Sequence, residues 1–289
     1  MRNHAIFGPG GNSESFYLAG HKSTVEAPAF LAALGLEAYE FEAGNGLAAG
    51  EKTLRAIGEE AKRYGVSLSL HTPYFISLSG VDPEKRLKSV GYIQRSLEAA
   101  EWLGATTIVI HSGSAAKIGR GEAMALAKDT LYHTLEAVGD TPIHLGLETM
   151  GKINQLGTLD EVIELCRMDP HLYPVVDFGH MNARERGGFF PDADSYRRVF
   201  DRVAEGLGDD KARYMHCHFS KIEYTDAGEK RHLTFADEVY GPAFEPFCEA
   251  LARESLFPTV ICESAGTMAE DALLMQNAYH LAANLKNKQ

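Results

Sequence analysis

No apolar run in this 289-residue chain approaches the roughly 18 residues that a membrane-spanning helix needs. Positive charge is also short: 28 Lys and Arg stand against 40 Asp and Glu, a net charge of −12. That balance disfavours generic nucleic-acid binding, because phosphate contacts dominate such affinity. It leaves room for a local basic surface, or for bound cations that reverse the local sign. Cysteine is scarce and scattered. Cys166, Cys217, Cys248 and Cys262 form no Cys-x-x-Cys pair, which argues against a disulfide framework or a cysteine-based zinc site and suits a reducing cytosol. The opening Met1-Arg2-Asn3-His4-Ala5 has no apolar core of signal-peptide length, so a cytoplasmic protein with no membrane partner is expected. No Gly-x-Gly-x-x-Gly follows the first apolar stretch, and Gly8-Pro9-Gly10-Gly11 reads as a turn. Histidine is what the chain has in quantity. Twelve of them beside a single tryptophan point toward metal.

The remaining composition, 45% apolar and 24% charged, is that of an ordinary globular enzyme. Eight short β-rich runs can be read: Ala5–Phe7, Ala38–Phe41, Ser67–His71, Thr106–His111, His144–Glu148, Tyr173–Asp177, Arg213–Phe219 and Thr259–Glu263. Helix-like stretches separate them. Asp82-Pro83 supplies an N-cap and a first-turn proline, an apolar stripe runs through Leu87, Val90, Ile93, Leu97 and Ala100, and Gly104 ends the helix. Thr158-x-x-Glu161 and Thr267-x-x-Glu270 read as capping boxes. Strand–helix alternation repeated eight times predicts one α/β domain over residues 1–289, a (β/α)8 TIM barrel. An open doubly wound sheet is the structural alternative.

In such barrels chemistry sits where the strands run into the following loops. The last residues of strands three to eight are His71, His111, Glu148, Asp177, His216 and Glu263. His180 follows Asp177 by three, and His232 lies in the long loop after strand seven. All eight are imidazole or carboxylate, the donors that first-row divalent metals take. Singly, each has a simpler reading as a helix cap or a satisfied histidine. Jointly they favour a metal site, since buried polar groups need partners. His144 and His171, near strand starts, take the simpler reading. His218 is ambiguous, because two residues after His216 it can point to the same side. Tyr74, Lys152, Arg184, Lys221 and Arg231 share these loops and are candidates for binding phosphate or substrate.

The segments His71-Thr72-Pro73-Tyr74-Phe75-Ile76-Ser77-Leu78, His111-Ser112-Gly113-Ser114, Glu148-Thr149 with Leu156-Gly157, Asp177-x-x-His180, Met215-His216 with Lys221, Arg231-His232 and Cys262-Glu263-Ser264 come in order. Together they resemble the endonuclease IV family, the metal-dependent apurinic/apyrimidinic endonucleases among the xylose-isomerase-like barrels. The resemblance implies that His71 and His111 bind one zinc and that Glu148 bridges it to a second. It implies Asp177, His216 and Glu263 on the second ion and His180 and His232 on a third. Glu148 and Glu263 would carry catalysis, the partner would be DNA with abasic sites, and the protein would act as a monomer. Manganese is the alternative ion.

Two departures stand out. Lys230 occupies the place of the family's third-metal aspartate, and a protonated lysine offers no lone pair. Its neighbour Glu229 would point the other way in a regular extended segment. Two firm ions and a weak or absent third are therefore expected, with Lys230→Asp strengthening the third. The family's DNA-probing loop after strand two is here Ala43-Gly44-Asn45-Gly46-Leu47, with neither Arg nor Trp. A sugar isomerase or epimerase on the same barrel is the alternative activity. It would use one metal on Glu148, Asp177, His216 and Glu263 and bind a small-molecule sugar. A metal-storing or regulatory barrel is the non-enzymatic reading.

Overall fold

The computed structural model describes residues 2–286. Of the tail Lys286-Asn287-Lys288-Gln289, the last three lie outside the described residues. Ten strands occur among the described residues: β1 (Ile6–Pro9), β2 (Ala38–Glu42), β3 (Ser67–His71), β4 (Thr107–His111), β5 (His144–Glu148), β6 (Leu172–Asp177), β7 (His216–Phe219), β8 (Ile222–Thr225), β9 (Gly228–His232) and β10 (Thr259–Cys262). Eight pair in parallel in the order β1-β10-β7-β6-β5-β4-β3-β2, and β8 and β9 form a separate antiparallel hairpin. The sheet closes between its ends, where Glu37 N donates to Phe7 O at 3.1 Å and Gly11 N to Glu40 O at 3.0 Å. Gly8 permits that closure: a Cβ there would stand 1.7 Å from the Ala38 carbonyl oxygen.

The barrel expected from the sequence is the barrel observed. Strand seven is shorter than read, because Asp209–Arg213 finishes a helix and the strand proper starts at His216. The helix Pro83–Leu103 begins at Asp82, whose side chain accepts from Glu84 N, and ends at left-handed Gly104. Thr158 and Glu161 form the expected capping box. At Thr267 the local signal is overridden. Ser13, from the far end of the sequence, accepts from Ala269 N at 2.7 Å, while Thr267 Oγ1 donates to Asp271.

Period-two alternation sorts the strand residues into two faces. Outward-facing Leu68, Leu70, Ile108, Ile110, Leu145, Leu147, Val176, Cys217 and Val260 are buried in the main core, against the surrounding helices. The register puts the other parity inside the barrel: Glu40, Ser69, His71, Val109, His111, Gly146, Glu148, Val175, Asp177, His216, His218 and Ile261. Apolar burial against helices therefore holds the barrel, and its inner face is released for chemistry.

Candidate metal centre

Five groups of donors among the described residues could hold an ion; besides Glu40–His216–His218 and Glu40–Glu42–Glu263, three gather at the C-terminal mouth around Glu148 and the β8–β9 hairpin. In the first, Glu148 Oε2 lies 3.3 Å from His111 Nε2 and 3.6 Å from His71 Nε2. His71 Nδ1 donates to Thr72 O at 2.8 Å, which turns Nε2 inward. The second brings together Glu148, Asp177, His218 and Glu263, with His218 Nδ1 3.1 Å from Glu148 Oε1 and 3.4 Å from Glu263 Oε1. Asp177 caps the helix Phe178–Arg184 by accepting from His180 N at 2.7 Å with its Oδ1, while Oδ2 makes no hydrogen bond and faces His180 Nδ1 at 3.2 Å. The third is His180, Glu229 and His232. His180 Nε2 stands 3.4 Å from Glu229 Oε2, and its Nδ1 is 3.0 Å from Thr149 O.

These residues fit divalent cations. A tetrahedral ion with bonds of 2.0–2.1 Å holds its donor atoms about 3.3 Å apart, close to the 3.3–3.6 Å separations in the first group. Glu148 Oε2 and Asp177 Oδ2 are buried with no hydrogen-bond partner, which an isolated carboxylate tolerates poorly.

Electrostatics follow from the same crowding. Burial works against the charge of Glu148, but His180, His218 and His71 outweigh it and hold its carboxyl well below the usual range. Burial likewise opposes protonation of His71, yet Glu148 and Glu42 raise its pKa to about 10. His111, facing the same carboxylate oxygen, is pushed down to about 3 by burial, with the neighbouring His71 acting the same way. Burial and the surrounding carboxylates push Glu42 up to about 7.

An open cavity of about 870 Å³ lies over the centre, lined among others by Glu42, Tyr74, His111, Lys152, Glu229 and Glu263. Tyr74 stacks on His111, ring centres 5.4 Å apart. Of the basic candidates only Lys152 lines this cavity. Lys221 donates to the carbonyls of Phe235 and Asp237, so its ammonium is held within its own loop. Arg184 binds the carbonyls of Met150, Lys152, Ile153 and Gln155 and braces the loop after β5. Arg231 pairs with Glu223 at 2.6 Å. These three serve the scaffold in this structure.

The register bears on two ligand expectations, and His216 keeps a place in a donor group with Glu40 and His218. The register aligns Val175 with His216 and Asp177 with His218, so His218 shares the level of Asp177 and His216 lies one layer deeper. His216 Nε2 donates to the Glu40 carboxylate there, at 2.9 Å. The other concerns Glu229. The β8–β9 register slips between Glu223 and Tyr224, which face Arg231 and Glu229, leaving Lys230 as the extra residue of a β-bulge. Lys230 and Arg231 both reach Glu223, at 2.6 Å each. The inserted residue shifts the alternation by one, so Glu229 and His232 share a side. Reading only strands three to eight for ligands also passed over Glu40 and Glu42, whose alternation on β2 was the available signal.

The chain matches the xylose isomerase-like TIM barrel family over residues 28–279. The chain belongs to that family. Among relatives of this barrel, an uncharacterized protein of Methanocaldococcus jannaschii is 30% identical, over 86% of this chain and 88% of its own length. A protein named probable endonuclease 4 from Thermoplasma acidophilum is 25% identical, covering 76% of this chain and 80% of that one. Another of that name, from Symbiobacterium thermophilum, is 37% identical over 46% of this chain and 50% of that one. Solved structures share the barrel fold. A D-tagatose 3-epimerase-like protein superposes with TM-score 0.69 at 20% identity, covering 93% of both chains. Endonuclease IV from Thermus thermophilus superposes with TM-score 0.64 at 18% identity, covering 91% of this chain and 94% of the other.

Proposed function

We propose that this xylose isomerase-like barrel is a metal-dependent phosphodiester hydrolase that cuts DNA on the 5′ side of abasic sites. The observation that carries this reading is the three-part donor cluster, in which Glu148 serves two groups and His180–Glu229–His232 adds a third. The relatives named probable endonuclease 4 support it. A one-metal isomerase would use Glu148, Asp177, Glu263 and one histidine. It would leave His71, His111, Glu229 and His232 without a role.

Zinc suits these imidazole and carboxylate donors, with manganese as the alternative. When bound, such ions supply Lewis acidity and activate water near neutral pH. The chain's own residues do the rest. Glu148 would serve two ions, and Glu263 would join the donors of the central one. Tyr74 and Lys152, on the cavity wall, meet the substrate.

The rim supports a second reading. Gly44-Asn45-Gly46 provides no probing Arg or Trp, and Lys152 is the one Lys or Arg side chain lining the cavity among the described residues. A sugar isomerase or epimerase acting on a small neutral substrate fits that rim. A metal-loaded sample incubated with a duplex carrying one abasic site separates the two. Incision lost on chelation supports the hydrolase. No incision at full metal occupancy, with turnover of a ketose, overturns it.

A further inference from the structure

Beneath the mouth lies a second polar layer that the proposed reaction does not use: Glu40, Ser69 and His216, all buried. Glu40 Oε2 accepts from Ser69 Oγ at 2.7 Å and from His216 Nε2 at 2.9 Å. These are direct hydrogen-bond lengths, shorter than the spacing of about 3.3 Å that a tetrahedral ion imposes on its donor atoms. The layer is therefore hydrogen-bonded, and two of its members, Glu40 and His216, also stand with His218 close enough to hold an ion.

The other oxygen, Oε1, has no hydrogen-bond partner, and neither has His218 Nε2, although the two atoms lie 3.0 Å apart. A small ring rotation satisfies both. On its far edge His218 presents Nδ1 to Glu148 and Glu263. An imidazole that gives one nitrogen to a metal must carry its proton on the other, and a carboxylate accepting that proton orients the ring and raises its basicity.

We propose that Glu40 is a positioning residue for the central metal site, holding His218 in the Nε2–H tautomer with Nδ1 directed at the ion, while Ser69 and His216 fix the carboxylate from below. The inference rests on reading the mouth as a metal centre. It explains a negative charge buried in the barrel at a distance from the substrate cavity. It also gives His216 a role, that of steadying the group that orients a ligand.

Cobalt(II) is the probe, because its visible absorption reports ligand geometry. Wild-type protein and Glu40→Gln are stripped of metal, titrated with cobalt against a chelator of known affinity, and compared by absorption spectrum. The expected result is a roughly 10- to 100-fold weakening at one site of the set, the usual effect of losing an outer-shell partner, with a changed spectrum and the remaining sites intact. A purely structural role would lower the melting temperature and leave affinity and spectrum alone, and that outcome overturns the proposal. Should Glu40→Gln fail to fold, Ser69→Ala decides. It removes one hydrogen bond to Glu40 and should weaken the same site roughly 2- to 10-fold, and unchanged affinity refutes the idea. Wild-type protein that takes up no cobalt overturns the metal reading as well. Wild-type uptake with an indifferent variant overturns this inference alone.

Discussion

The barrel strands carry histidine at both ends, and the two ends use it differently. At the N-terminal end His144 opens β5 and stacks on Tyr173 with ring centres 3.6 Å apart. Burial, followed by the nearby Lys211, pushes its pKa down to about 4. His171 beside it is held by Asp169, with Nδ1 2.8 Å from Oδ1. Each has its own local partner. At the other end of β5, Glu148 is within 3.6 Å of nitrogens from His71, His111, His180 and His218. There donors face one another across a shared centre, and some buried oxygens make no hydrogen bond. The contrast shows that polarity at a strand end becomes a site only when its partners are other side chains with lone pairs to offer.

Removing the shared carboxylate breaks the contrast most severely. Glu148→Gln keeps the shape and loses the charge, so two ions should leave and abasic-site incision should fall by roughly 1000-fold. Circular dichroism should be unchanged. Metal analysis beside the rate measurement checks this, and a variant keeping both ions would show that Glu148 is not the bridge.

Next in size is the third group. Glu229→Gln should lose one ion, with a loss of affinity above the roughly 10- to 100-fold of an outer-shell change. Lys230→Asp should not strengthen that ion, because residue 230 is the bulge insertion paired with Glu223. Tighter binding by Lys230→Asp would show that the hairpin presents position 230 to the metal after all.

Proton release distinguishes the two ends at intermediate scale. Carboxylates raise His71 to about 10, so it holds a proton at pH 7 that an incoming ion must displace. Apparent metal affinity should rise with pH, by about tenfold per unit for each proton displaced, until His71 titrates. Calorimetry in buffers of different ionisation heat counts the protons. In metal-free protein the sign reverses. The raised pKa of His71 adds stability that is full below its unfolded value near 6.5 and lost as pH rises through about 10. Uptake without proton release would contradict the arrangement.

The smallest effects belong to the N-terminal end. His144→Gln should cost about 0.5–1.5 kcal/mol, the worth of its stack on Tyr173, and leave metal content and incision unchanged. Thermal melting beside metal analysis tests this. A variant that lost metal would erase the distinction between the two ends.

Much of this was legible in the chain. Hydrophobic periodicity marks eight strands, and Asp82-Pro83, Gly104 and the Thr158 capping box mark helix ends, because caps and alternation are local. His71, His111, Glu148, Asp177 and Glu263 could be named as candidate donors for a related reason, since a strand's last inward residue faces the mouth wherever a barrel closes, and His180 and His232 followed from the adjoining loops. No membrane span was expected, and no helix among the described residues is long and apolar enough to cross a bilayer. What the sequence could not settle was depth, phase and competition. His216 and His218 share a face by parity, and only the pairing with β6 decides which reaches the level of Asp177. Glu229 and Lys230 are neighbours, and only the bulge, where two residues oppose Glu223, decides which one turns to His180. Arg184, Lys221 and Arg231 are cations in site loops, and only folding supplies the carbonyls and the carboxylate that claim them. Register, bulges and competing partners are relations between segments far apart in the chain, so they exist only once the barrel has closed.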